Sequence, residues 1–179
     1  MVDLISPGNC SLCNPDIFWV QDYVYKCSIG PQIIKRRHMM DEYPITHQSL
    51  VYPWHCDHMG HMNVMWYVSK FDEATWALFA TIGITAGYLR DHSLGMAAVD
   101  QHIKYKAELL AGDLVMVRSH WLEVKEKSLR SCHHMYNSQT GKMAATCELV
   151  AVHTHTKNRK SHAFDATIID NVRTALKGQ

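Results

Sequence analysis

An α+β fold, an antiparallel sheet laid on one long central helix, is what the sequence predicts. Three features carry this expectation. One apolar helical stretch runs from Val64 to about Ile82, a strand-like segment precedes it at Thr46 to Trp54, and a series of strand-like segments follows from Met96 to Thr154. Strands joined by short turns imply antiparallel pairing in a meander, and the helix buries its apolar surface against that sheet. A chain of 179 residues is long enough for one domain with a sizeable core.

The elements follow in order. Residues 1–40 are irregular, with turn dipeptides at Gly8-Asn9, Asn14-Pro15 and Gly30-Pro31 and a basic run Lys35-Arg36-Arg37-His38. They read as an N-terminal extension in which Ile17 to Val20 and Tyr23 to Tyr25 offer one short strand. The domain proper spans residues 41–165. Its first strand, Thr46 to Trp54, carries Pro53, which belongs at an edge or a strand end. Asn63 is a natural N-cap for the helix and Gly83 a natural stop. The apolar residues of the helix, including Trp66, Phe71, Trp76 and Phe79, wrap most of its circumference, so they are expected in the core. A connector through Gly87 leads to strands at Met96–Tyr105, Leu114–Val124, Leu129–Asn137 and Met143–Thr154. Residues 166–179 form a C-terminal tail or short helix, with Ile168, Ile169, Val172 and Leu176 on one face.

Composition narrows the function classes. The apolar fraction of 47 % excludes a disordered chain, and a net charge of +1 gives no basic field for non-specific nucleic-acid binding. No run of 18 or more apolar residues is present, so no membrane span is expected. The start, Met1-Val2-Asp3-Leu4, does not read as a secretory signal, which points to the cytoplasm and to reduced cysteines. Cys10 and Cys13 form a lone CxxC that Cys27 and His38 complete only on paper, since no second CxxC follows at finger-like spacing.

The loop His55-Cys56-Asp57-His58-Met59-Gly60-His61-Met62-Asn63 is the sharpest feature. It places a carboxylate and a glycine beside a helix N-terminus, whose unpaired N–H groups can polarise a carbonyl. A carboxylate there can attack that carbonyl or activate water against it, which is acyl-transfer chemistry. Position alone leaves the plainer reading open, that Asp57 is only a cap. Read as a metal set, His55, His58 and His61 with Asp57 and Cys56 offer enough ligands, but a tight loop does not converge side chains three apart, and no metal is expected.

The stretch Asp57 to Tyr67 resembles the D-x-x-G-H-x-N-x-x-x-Y signature of hot-dog-fold acyl-CoA thioesterases of the 4-hydroxybenzoyl-CoA thioesterase type. The likeness continues through Phe71-Asp72-Glu73-Ala74, His102-Ile103-Lys104-Tyr105 and Ala111-Gly112-Asp113, and covers about residues 45–163. His102 to Tyr105 and the histidine-bearing end of the last strand are also similar to betainyl-CoA thioesterases. The resemblance implies a sheet wrapped around the helix, and two such domains paired as a homodimer or a dimer of dimers. It implies an acyl-CoA substrate, with coenzyme A part of the substrate and no cofactor. It implies Asp57 as the catalytic carboxylate, the Val64 N–H as the carbonyl-polarising group, and Gly60, His61, Asn63 and Tyr67 as residues that shape and orient the loop. His55 departs from the acidic residue common there, and Val64 from the histidine of one branch.

The flanking residues keep two readings each. Trp66 is core or, like Trp54 or Tyr67, acyl-pocket wall, and Asp100 and His102 face the pocket or the other side of their strand. Lys157-Asn158-Arg159-Lys160 meets coenzyme A phosphates or is a solvated turn. The resulting expectation is hydrolysis of a small or medium acyl-CoA. Its alternatives are a non-catalytic acyl-CoA-binding module on the same fold, or a hydratase.

Overall fold

A computed structural model of the chain describes residues 43–178. The extension of residues 1–40 lies outside the described residues, and with it the strand segments at Ile17 and Tyr23 and the Cys10, Cys13, Cys27 and His38 set.

Five strands form one antiparallel sheet: β1 (Ile45–Leu50), β2 (Leu94–Tyr105), β3 (Leu114–Val124), β4 (Ser128–Asn137) and β5 (Met143–His155). Three helices accompany them: α1 (Val64–Thr81), α2 (Ala86–His92) and α3 (Ala166–Lys177). The spatial order is β1-β3-β4-β5-β2. Strands β3 to β5 are the expected meander, but β2 does not join it in sequence. It crosses to the far edge and pairs with β5, with Leu94 opposite His155 and Tyr105 opposite Ala145. The crossover leaves β2 as a long edge strand beside α1. Two other boundaries differ from expectation. β1 ends at Leu50 because Pro53 opens a 3-10 turn, Pro53–His55. The connector before β2 is the short helix α2, capped by the Thr85 hydroxyl on the Tyr88 N–H at 3.1 Å.

The alternation of the central strands sets the core. Val115, Val117, Ser119 and Trp121 of β3 and Ser131, His133 and Met135 of β4 are buried on the α1 side. Against them α1 lays Tyr67, Phe71, Ala74, Thr75, Leu78 and Phe79. One apolar cluster surrounds Tyr67 and Phe71; a second surrounds Leu78 and Ile82 and takes in Ile168 and Val172 of α3. The helix is not buried all round. Val64, Met65, Val68 and Trp76 are exposed on its opposite face, so Trp76 leaves the expected core set. Lys70 and Thr75 are buried despite their polar side chains. The Lys70 ammonium donates to Ser49 Oγ at 2.7 Å.

A polar node sits within the core. The Thr75 hydroxyl donates to the Phe71 carbonyl at 2.8 Å, which leaves its oxygen to accept from His133 Nε2 at 3.2 Å. Ser119 Oγ then donates to His133 Nδ1 at 2.6 Å. Loss of water pushes the His133 pKa down to about 3, so the ring is neutral. Among the described residues no helix is long and apolar enough to cross a membrane.

Phe71 is fully buried where α1 meets the sheet. Phe71→Ala is expected to cost about 3–5 kcal/mol, read as a lower midpoint in guanidinium unfolding at unchanged slope.

Candidate active site

The site is built where β1 hands over to α1. After the 3-10 turn, the His55 ring is buried between Trp66, at 4.2 Å, and the stacked pair Tyr52 and Trp54. Its Nδ1 accepts the Tyr52 N–H at 3.1 Å, and burial lowers its pKa, so it is a neutral structural acceptor. The chain then closes a tight loop. The Asp57 N–H reaches the His61 carbonyl at 3.2 Å, the Gly60 N–H reaches the Asp57 carbonyl at 3.0 Å, and the Asn63 N–H returns to the His55 carbonyl at 2.9 Å. Gly60 has φ +83°, a left-handed backbone that a side chain would strain.

Inside this loop Asn63 does two things at once. Its Oδ1 accepts the Met65 N–H at 3.0 Å and caps α1, while its Nδ2 donates to Asp57 Oδ2 at 2.7 Å. Asp57 Oδ1 accepts the Met59 N–H at 2.9 Å. With the backbone donor first and Asn63 second, these bonds hold the Asp57 carboxyl below its ordinary pKa, so it is ionised at neutral pH. Val64, the first residue of α1, follows directly, so the carboxylate and the positive end of the helix share one surface.

A cavity of about 730 Å³ opens beside that helix end. His61, Val64, Tyr67, Tyr105, Lys106 and Lys142 are among its walls. The Tyr67 hydroxyl donates to the Ala107 carbonyl at 3.3 Å, and its ring meets Tyr105 edge-on at 5.2 Å. Burial pushes the Tyr67 pKa up to about 12, so it positions rather than exchanges protons. His61 lies with Nε2 3.9 Å from Glu108 Oε1. A smaller, separate cavity, about 180 Å³, lies between α1 and β2 and is walled by Val68, Trp76, Phe79, Met96 and Gln101 among others.

Of the motif residues, His61, Val64 and Tyr67 wall the cavity, while Asp57, Gly60 and Asn63 form the loop next to it and are not among its walls. Trp66 packs on His55 and is not a wall of the cavity. His102 is elsewhere: it lies opposite Glu148 and lines a separate cleft with Asp100, Lys104 and Arg130. Alternation along β2 is the reason, since Gln101, Ile103 and Tyr105 take the α1 side. Lys157 to Lys160 form an exposed turn after β5 and do not line the cavity. Tyr105, Lys106 and Lys142 are wall residues that motif reading missed. They come from separate strand ends with no local signal, although the period of two from Ile103 marks Tyr105. His55, His58 and His61 do not gather: His55 is held by its aromatic neighbours and His58 is exposed.

A five-stranded antiparallel sheet around one long helix, with a carboxylate loop at the helix N-terminus, defines a hot-dog fold of the thioesterase type. Residues 51–172 match the Thioesterase-like superfamily, and the chain belongs to it. It is similar to the betainyl-CoA thioesterase of Pseudomonas aeruginosa, 26 % identical over 133 residues, 74 % of this chain and 84 % of that protein. It is also similar to the L-carnitine dehydrogenase/betainyl-CoA thioesterase of Agrobacterium fabrum, 31 % identical over 129 residues, 72 % of this chain but only 26 % of that protein. The chain therefore spans about a quarter of that relative's length. A Staphylococcus aureus protein solved in complex with CoA shares the fold, with a TM-score of 0.71 and 20 % identity over 76 % of this chain and 87 % of that one.

Asn63→Ala removes the cap and one of two donors to Asp57. It is expected to cost about 1 kcal/mol of stability in chemical unfolding. It should also raise the Asp57 pKa toward its ordinary value, read by carboxyl-carbon NMR titration. The sign follows from linkage: a depressed carboxylate pKa adds stability above the unfolded value of about 4, lost as pH falls through the folded value. The Asn63→Ala protein should therefore lose less of its stability between neutral pH and pH 3.

Proposed function

We propose that this chain hydrolyses acyl-CoA thioesters to the free acid and coenzyme A. The observation that carries the reading is the Asp57 carboxylate, held ionised by Met59 and Asn63 in the loop that leads into α1, next to the helix end where His61 and Val64 wall a cavity of suitable volume. The thioester carbonyl is held by the Val64 N–H, where the helix end stabilises the oxygen as negative charge develops. A depressed pKa makes Asp57 a weak base at neutral pH and favours attack. In that route the carboxylate oxygen bonds to the carbonyl carbon and the carbon–sulfur bond breaks. Coenzyme A leaves as thiolate, and water then cleaves the mixed anhydride. In the general-base route Asp57 instead takes a proton from the attacking water.

Lys106 and Lys142 at the cavity wall suit the phosphates of coenzyme A. The betainyl-CoA relatives, with the edge-on Tyr67 and Tyr105 rings, support a small quaternary-ammonium acyl group as the first substrate to try. The chemistry calls for no cofactor. A homodimer, alone or doubled, is supported by the outer edge of β2, twelve residues long and paired with no strand among the described residues, and by exposed Val64, Met65, Val68 and Trp76 on α1. The free thiols Cys56, Cys132 and Cys147 suit a reducing compartment such as the cytoplasm.

Thiol release from a panel of short, branched, aryl and betainyl-CoA thioesters tests the reading. Asp57→Asn should lower kcat by about 10²–10⁴-fold with its unfolding curve unchanged; near-normal turnover by that variant overturns the assignment. Binding without thiol release from any thioester would instead mark a non-catalytic module. Loss of enoyl absorbance with crotonyl-CoA would mark a hydratase. Residues 1–40 contribute no catalytic group in this reading, so a chain beginning at Met40 should retain the activity of the full chain.

A further inference from the structure

The face of the sheet turned away from α1 carries a second concentration of chemistry that the acyl-CoA reading does not use. His120 of β3 lies directly opposite Cys132 of β4, and His134 follows two residues along β4 on the same face. One imidazole nitrogen from each histidine and the Cys132 sulfur lie within 4.8 Å of one another. Cys132 Sγ is 3.4 Å from His134 Nε2. A tetrahedral zinc ion, with bonds of about 2.3 Å to sulfur and 2.0 Å to nitrogen, sets those two donors roughly 3.5 Å apart.

Two further observations point to a ligand. The Nδ1 atoms of His120 and His134 are buried, and neither meets a hydrogen-bond partner among the described residues. Buried polar atoms are nearly always paired, so the orphaned His120 nitrogen beside Cys132 calls for a missing partner, while His134 already turns its other nitrogen, Nε2, to the sulfur. The surroundings are also built rather than loose. Tyr43 stacks on the His120 ring at 4.0 Å and 13°, and Tyr136 flanks His134 on the other side. Glu148 of β5 stands opposite Cys132 and adds negative charge, while it pairs with Arg130 at 2.5 Å.

We propose that His120, Cys132 and His134 form a binding site for a thiolate- and imidazole-preferring divalent ion of the zinc class, with water in the fourth position. On binding, the Cys132 S–H bond breaks, the sulfur bonds to the ion and the proton leaves to solvent. Two imidazoles and one thiolate select borderline-soft ions over magnesium or calcium. The site sits on two central strands rather than at the acyl-CoA cavity, so the ion would tie β3 to β4 without entering the hydrolysis.

The test uses cobalt(II) as the probe on the full-length chain, because cobalt bound to a thiolate gives a near-ultraviolet charge-transfer band. One equivalent should produce that band, and zinc should abolish it by displacement. The band should persist in Cys10→Ser/Cys13→Ser, disappear in Cys132→Ser, and need at least about 10-fold more cobalt in His120→Asn or His134→Asn. Absence of the band in the wild-type chain overturns the proposal, as does a band that survives in Cys132→Ser or is lost in Cys10→Ser/Cys13→Ser. Should Cys132→Ser fail to fold, zinc-edge X-ray absorption of the zinc-loaded Cys10→Ser/Cys13→Ser chain decides. A shell of one sulfur and two nitrogens supports the site, and a shell without sulfur overturns it.

Discussion

Packing of α1 on the sheet is the constraint from which the rest follows. Tyr67, Phe71, Ala74 and Leu78 form one stripe, and the sheet curves to meet it with Val117, Met135, Cys147 and Leu149. Burying this stripe commits the helix to one face of β3, β4 and β5 and leaves its other face, with Val64, Val68 and Trp76, in the open. β2, carried to the far edge by its crossover, lies beside that open face. Both cavities along α1 are the space between a helix drawn toward the sheet centre and an edge strand that does not follow it.

The loop before α1 works because a helix must begin somewhere. A first turn has N–H groups without intrahelical partners, and Asn63 satisfies one of them while its amide nitrogen reaches Asp57. Capping and orientation of the carboxylate are therefore a single arrangement of one side chain. His55 supports it from behind, as a buried neutral ring under Trp66 and a carbonyl that receives the Asn63 N–H.

Much of this was legible in the sequence because it is local. The Asn63 cap, the Gly83 stop, the strand limits Leu114 and Val124 and the Asp57 to Asn63 loop all depend on neighbouring residues, and local chemistry states them plainly. What was not legible depends on contacts distant in sequence. The crossover of β2 is decided by the pairing of Leu94 with His155, far apart in the chain. The sides taken by His102 and Tyr105 depend on register with β5, which a bulge between Ala98 and Asp100 resets. Trp76 reads as core by spacing, yet the sheet is too narrow to cover both faces of its helix. Lys70 reads as surface by charge, yet Ser49 of β1 supplies a buried partner.

The buried His133 node has a consequence for how accurately the fold is aimed. An apolar helix on an apolar sheet can slip to a neighbouring ridge at little cost, because one methyl contact replaces another. Thr75 cannot slip in this way. A turn of α1 about its own axis would strip the one hydrogen bond that joins the helix to His133, leaving the ring held only by Ser119 and Ser131 of the sheet. The node therefore works as an indexing pin for an otherwise greasy bearing. Since Thr75 and Val64 belong to one rigid helix, about 16 Å apart along its axis, the pin also fixes the azimuth at which the first turn faces the cavity, and with it the position of the loop that carries the carboxylate.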